Sequence, residues 1–161
     1  MATGGGRVVV RFGVRSGVPA DLPVLAEIYR RASLSNAGDA AMLLAHPEAL
    51  VFGGGGLAEG QTRVVTHTDG RIVGFATMRR AGEFFELEDM FVDPAWMRHG
   101  IGRLLVQDAM VIARREHMPR IEVTANPHAY SFYENTGFLH DSRIETELGH
   151  GSRMYLDIPQ D

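Results

Sequence analysis

Two β-rich segments, 63–68 and 71–79, are joined by the dipeptide Asp69-Gly70. That dipeptide supplies the positive-φ residues of a two-residue hairpin, so the two segments read as antiparallel neighbours. A third strand-like run, 83–92, follows directly and extends the pair into a meander. A meander in the middle of the chain requires the remaining segments to flank or cover an antiparallel sheet, which points to a mixed α/β (α+β) domain.

The flanking segments fit that frame. Residues 7–15 read as a first strand. A helix then starts at Pro19 or Asp21, with Leu22, Leu25, Ile28 and Tyr29 at helical spacing. A short helix over 39–46 ends before Pro47. Residues 52–60, with four consecutive glycines, read as a flexible connector, and no Lys-Ser or Lys-Thr follows to make them a phosphate loop. After the meander, 100–116 is an amphipathic helix with Ile101, Leu104, Leu105, Ala109 and Ile112 on one face, ended by Pro119. A short strand over 121–125, a helix over 127–135 with Gly137 at its C-cap, and closing strands near 138–144 and 152–158 complete the chain. There is no repeat, long linker or break in composition, so 1–161 reads as one domain with a flexible start over 1–6.

Composition narrows the partners. The net charge is −4 and the sequence pI about 6.0, with the basic residues scattered, so no nucleic-acid face is expected. No cysteine is present, which removes disulfides, thiolate metal sites and a cysteine nucleophile together. The histidines form no His-x-x-x-His pair, and no metal is expected. No apolar run is long enough to span a membrane, and the first residues lack a signal peptide's apolar core, so the expected location is the cytoplasm.

The turn Arg98-His99-Gly100-Ile101-Gly102-Arg103 lies between the third strand of the meander and the amphipathic helix. Its glycines open the first helical turn, whose free N–H groups and dipole suit a pyrophosphate, with Arg98 and Arg103 adding charge. Close packing is the other reading of the same letters. A dinucleotide fingerprint is disfavoured because position 105, where a third glycine would stand, is leucine.

A strand ending in Val92-Asp93-Pro94, this basic turn, an amphipathic helix, a strand, and then Asn126-Pro127 leading to Phe132-Tyr133-Glu134-Asn135-Thr136-Gly137-Phe138 together resemble the GNAT superfamily of acetyl-CoA-dependent N-acetyltransferases. The resemblance implies a GNAT fold, with about seven mostly antiparallel strands, about four helices, and a splayed strand pair that receives acyl-CoA. It implies that main-chain N–H groups of His99, Gly100, Gly102 and Arg103 cradle the pyrophosphate beside Arg98. It also implies that Phe91 and Val92 border the pantetheine arm and that Asn126, Tyr130 and Tyr133 face it from the other side. Met97 departs from the family's usual Gln or Arg. Tyr133 matches the usual partner of the leaving thiolate. The recurrent base position falls on Glu86, with Glu88 in competition.

An alkyl ammonium must lose a proton before it can attack a thioester, which calls for a carboxylate near the opening. Strict alternation along 83–92 sets Glu86 and Glu88 on one face and Asp89 on the other, unless a bulge intervenes. The resemblance implies an acceptor site between the first two helices and the meander, near Tyr29, Arg30, Ser33, Asn36 and Met42, with Asp89 among its contacts. The run Leu87-Glu88-Asp89-Met90-Phe91-Val92 resembles the matching strand of polyamine acetyltransferases, which points to a small cationic amine, while peptide N-termini, lysine side chains, amino sugars and amino acids stay open as acceptors. Direct attack in a ternary complex is the implied route, because no cysteine or activated serine is present. A non-catalytic acyl-CoA-binding module is the alternative. Dimers are common in the family, so a homodimer is one state the resemblance admits, and the oligomeric state stays open.

Overall fold

The computed structural model describes residues 12–146 and 149–160. The expected flexible start and the first residues of the first strand lie outside them. The chain forms strands β1 (Phe12–Ser16), β2 (Thr62–His67), β3 (Ile72–Ala81), β4 (Phe84–Val92), β5 (Arg120–Ala125), β6 (Leu139–Thr146) and β7 (Gly149–Asp157). Its helices are α1 (Leu22–Leu34), α2 (Ala37–Ala45), α3 (Ile101–Arg115) and α4 (Tyr130–Asn135). The strands make one sheet in the order β1-β2-β3-β4-β5-β7-β6. Among the described residues, only β4 and β5 pair in parallel. The meander and its Asp69-Gly70 turn form as the sequence dictates, with Gly70 at φ 88°.

The sheet separates two apolar layers. On one face Leu25 and Ile28 of α1 pack with Val64 and Phe75. On the other, Ile101, Leu105 and Ala109 of α3 join Met78, Leu87, Ile121, Val123, Tyr133, Phe138 and Met154. Fully burying a Leu, Ile or Phe is worth about 1.5–3 kcal/mol, so these two layers hold the helices in place. Arg63 of β2 reinforces α3 through a two-point ion pair with Asp108, at 2.9 and 3.0 Å.

The four-glycine connector is packed, contrary to the flexible loop expected from its composition. Its Leu57 is buried at 5% exposure, and Phe52 contacts Phe75 and Tyr29 with ring centroids 5.0 and 5.7 Å away. A Cβ on Gly54 would lie 2.8 Å from Leu22, and one on Gly56 2.9 Å from Thr77, both at positive φ. Gly54 serves close approach of the loop to α1, and Gly56 its close approach to β3.

Candidate functional site

Strands β4 and β5 pair only at Phe85, Glu86 and Leu87, opposite Ile121, Glu122 and Val123. Beyond Leu87 they part. The cause lies in β4 itself: Leu87 pairs with Met78 and Asp89 with Thr77, leaving Glu88 as an extra residue. Such a bulge bends the strand and steepens its twist. Past it, β4 stays paired to β3 up to Val92 while β5 continues along β7, so a V opens between them.

The bulge also resets the faces. Asp89 and Glu86 stand opposite Thr77 and Arg79, which are two apart on one strand and so share a face. The regular alternation expected from sequence is therefore corrected: Glu86 pairs in orientation with Asp89, and Glu88 is the displaced residue. Each carboxylate has a different setting. Glu86 gives both oxygens to Arg153, at 2.6 and 2.9 Å. Glu88 is more exposed and is ion-paired with Arg79. Asp89 is half-buried, and its carboxyl is pushed above the usual range by desolvation and by the neighbouring Glu88 charge, while a Thr77 hydrogen bond opposes the shift.

Backbone direction matters as much as side chains here. The N–H of Asp93 donates to the Val73 carbonyl of β3 at 2.9 Å. Since N–H directions alternate along a strand, the Val92 N–H points the other way, into the V left by β5.

At the mouth of the V, the chain winds through a single 3-10 turn, Pro94–Trp96, into the basic glycine turn. Asp93, buried at 6% exposure, fixes that winding. Its carboxylate accepts from the Ala95 N–H at 3.0 Å and from Arg31 of α1 at 2.8 Å. Arg98 and Gly100 both take left-handed conformations, φ 67° and 76°, a winding that turns neighbouring N–H groups toward a common concavity. Gly100 is the N-cap of α3 and offers no side chain to its first turn, which leaves those N–H groups uncapped. His99 is held against the preceding turn by Nδ1–H, which donates to the carbonyls of Met97 at 2.9 Å and Trp96 at 3.1 Å. Trp96 packs on Phe12, His67 and His99, with Arg71 over its ring. Gly102 has a packing role: a Cβ there would lie 2.8 Å from the Phe132 ring.

One cleft of about 640 Å³ joins the V to this turn. Phe91, Val92, Arg98, Gly100, Gly102, Arg103 and Asn126 line it, and so do Tyr29, Ser33, Asn36 and Met42 of the α1–α2 wall. His99, Tyr130, Tyr133, Glu86, Glu88 and Asp89 are not among its lining residues. Sequence reading missed Met90, Asp39, His128 and Phe132. Asp39 and His128 meet across the cleft at 3.1 Å, a contact between residues far apart in the chain that no local pattern could reveal. Phe132 could have been found, since it immediately precedes Tyr133 in the second motif.

Asn126 caps the turn before α4 by accepting the Ala129 N–H at 2.9 Å. Tyr130 turns toward His140 and lines a separate recess with Ser131, His150 and Ser152. Tyr133 lies in the core against Phe132 and Phe138, and burial pushes its phenol above the ordinary value. Its hydroxyl donates to no group among the described residues, and no buried side-chain oxygen or nitrogen there is left unpaired, so the hydroxyl is the part of the residue that reaches solvent.

The family model described as an acetyltransferase (GNAT) domain matches residues 54–150. The chain belongs to the GNAT family. Its sheet order and splayed strand pair are the GNAT fold, shared with solved structures of low sequence identity. The PaiA N-acetyltransferase of Thermoplasma acidophilum, solved with coenzyme A, superposes at TM-score 0.72 with 18% identity over 91% of this chain and 99% of that one. The ribosomal-protein-S18-alanine N-acetyltransferase of Escherichia coli superposes at TM-score 0.69 with 21% identity over 92% and 94%. In sequence, the GNAT domain is 29% identical over 96 residues to the glucosamine 6-phosphate N-acetyltransferase of Trypanosoma brucei brucei. That match covers 54% of this chain and 65% of the relative, somewhat under two thirds of its length.

The GNAT cosubstrate, acetyl-CoA, fits the residues present. The uncapped first turn of α3 offers N–H donors to a pyrophosphate, and Arg98 and Arg103 are exposed without ion pairs among the described residues. The described residues hold no cluster of three or more His, Asp or Glu suited to a metal, and no described helix is long and apolar enough to cross a membrane.

Proposed function

We propose that this GNAT domain transfers the acetyl group of acetyl-CoA to a primary amine, by direct attack within a ternary complex. The observation that carries the reading is the continuity of the V between β4 and β5 with the uncapped glycine turn, in one cleft. The pyrophosphate is held by the N–H groups of the turn near His99, Gly100, Gly102 and Arg103, with Arg98 alongside. Phe91 and Val92 pair with the pantetheine arm as an added strand, and Asn126, just past the end of β5, faces it from the other side.

Acetyl-CoA supplies the activated thioester, and the chain's own groups do the rest. The Val92 N–H, directed into the V at its mouth, holds the pantetheine arm, and a β4 N–H deeper along the same edge, nearer the bulge, stabilises the oxygen charge that develops on the attacked carbonyl. Tyr133 presents its hydroxyl to the leaving sulfur. A phenol near 10 is a weaker acid than a thiol near 8.5 by about 2 kcal/mol, and burial raises the phenol further, so Tyr133 stabilises the thiolate by hydrogen bonding. Of the strand carboxylates, Glu88 and Asp89 at the bulge receive the ammonium and its proton. The upward shift of Asp89 moves it toward the range useful for a base. Glu86, with both oxygens on Arg153, has a structural part.

The acceptor end of the cleft favours a small cationic amine. Its wall carries Tyr29, Ser33, Ser35, Asn36 and the carboxylate of Asp39, whereas the cleft's arginines, Arg98 and Arg103, stand at the turn. The trypanosomal relative motivates a second reading, an amino sugar phosphate. A panel assay of thiol release from acetyl-CoA, covering diamines, amino acids, peptides and glucosamine 6-phosphate, decides between them. Turnover that prefers diamines and falls in Asp89→Asn is the expected outcome. Binding of acetyl-CoA without release to any amine would instead mark a non-catalytic acyl-CoA-binding module.

A further inference from the structure

The root of the V is braced by one side chain. Arg153 extends from β7 over β5 to β4. Its Nη1 donates to Glu86 Oε1 at 2.6 Å and to Thr124 Oγ1 at 3.0 Å, and its Nη2 to Glu86 Oε2 and Glu122 Oε1, each at 2.9 Å. The four bonds account for all four Nη hydrogens, four of the guanidinium's five N–H donors. Glu86 and Glu122 face each other across β4 and β5, one position before the last pair, Leu87 and Val123. All three charged groups are largely shielded, with side-chain exposures of 20, 17 and 21%. On the opposite face of the same strands, Leu87, Val123 and Met154 lock into the apolar core. The point at which the strands part is therefore pinned from both sides of the sheet.

We propose that Arg153 is a positioning residue that sets the acyl-chain length the slot accepts. The inference rests on the acyl-CoA reading given above. From Val92 at the mouth to Leu87 at the root is five residues of strand, about 16 Å at roughly 3.3 Å per residue. That is the reach of an extended pantetheine arm anchored at the glycine turn, so the thioester stops near the root and the width there limits what lies beyond the carbonyl. Arg153 governs that width because it holds together two carboxylates that otherwise repel across the strand pair. Without it the strands lose their tie on this face, one position before the last pair, and the root widens; where both carboxylates remain, their repulsion adds to the opening.

Calorimetric titration of CoA, acetyl-CoA and butyryl-CoA into the whole protein tests this without requiring turnover. Two variants are used: Arg153→Met, and the neutral Glu86→Gln/Glu122→Gln/Arg153→Met, which removes the repulsion and keeps a folded protein available if the single variant fails to fold. The natural protein is expected to favour acetyl-CoA over butyryl-CoA, and the variants to lose about tenfold of that preference, the discrimination an apolar pocket makes per methylene or two. Affinity for CoA itself, which has no acyl group, should stay within about twofold. An unchanged preference in whichever variant folds, or a natural protein that takes both esters equally, overturns the brace. Absence of CoA binding by the natural protein would overturn the acyl-CoA reading itself, an outcome distinct from the other two.

Discussion

Gly102→Ala separates the two uses of the glycine turn. Gly102 is the second residue of α3, and replacing glycine by alanine in an open helix gains about 1 kcal/mol of helix propensity. Here the added Cβ would lie 2.8 Å from Phe132 Cζ and 2.9 Å from Cε2, well inside normal contact. Relief requires the ring to swing, and overpacking of this kind costs about 1–3 kcal/mol. The net is a loss of about 1 kcal/mol, or about 2–4 °C in Tm for a chain of this size. Because Phe132 lines the cleft, the ring moves into the space assigned to the pantetheine arm, and CoA affinity should fall about tenfold, equivalent to about 1.4 kcal/mol. Thermal unfolding with and without CoA reads both effects. Adding Phe132→Leu should return at least half of the lost stability, since the two residues are in contact and their effects do not add. A Tm that rises in Gly102→Ala, as in an unobstructed helix, would refute the packing argument.

Other positions give independent checks. Tyr133→Phe keeps the packed ring and removes a hydroxyl that bonds nothing among the described residues, so stability should change by less than about 0.5 kcal/mol in a urea melt. Turnover should fall by about 10²-fold or more, by a factor that stays constant from about pH 6 to 10, because burial keeps the phenol protonated across that range. Asp89→Asn should stabilise the protein at pH 7 while lowering turnover. The raised carboxyl favours the folded state only below the unfolded pKa of about 3.9, so the gain seen at neutral pH should vanish as the pH is lowered through about 4 in pH-dependent unfolding. Arg31→Ala strips a buried carboxylate of its cation. With Arg31 itself 48% exposed, the loss should be about 1 kcal/mol, measured by denaturant unfolding, together with weaker CoA binding through a looser turn.

Much of this architecture could be read from local patterns. The hairpin at Asp69-Gly70, the amphipathic face of α3 and the Gly137 turn are written in neighbouring residues, and the elements they specify are present. The first motif half contains the turn and the strand end that line the cleft, and from the second half Asn126 and Phe132 line it while Tyr130 and Tyr133 do not. What sequence could not supply depends on contacts between distant segments. Nothing near Glu86 indicates that Arg153, from the last strand, takes both of its oxygens. The four glycines of the connector gave the wrong impression because glycine permits close approach as readily as looseness, and only the presence of Leu22 and Thr77 beneath them decides which. Tyr130 and Tyr133 are three apart on a six-residue helix, yet they turn to different surroundings, which helical spacing alone does not settle.

The extra residue in β4 has a consequence for how such a slot could arise. Deleting Glu88 would not scramble the strand: Leu87 and Asp89 would become adjacent and keep the faces they already occupy, restoring an unbroken ladder opposite Met78 and Thr77. The expected product is a stable domain whose β4 runs alongside β5 for longer and whose affinity for CoA is lost, measurable by amide hydrogen exchange along β5 and by titration. A single-codon insertion into an ordinary strand is then a sufficient first step from an inert sheet to one that admits an extended ligand. The core need not be rebuilt, because every apolar side chain of the strand stays where it was.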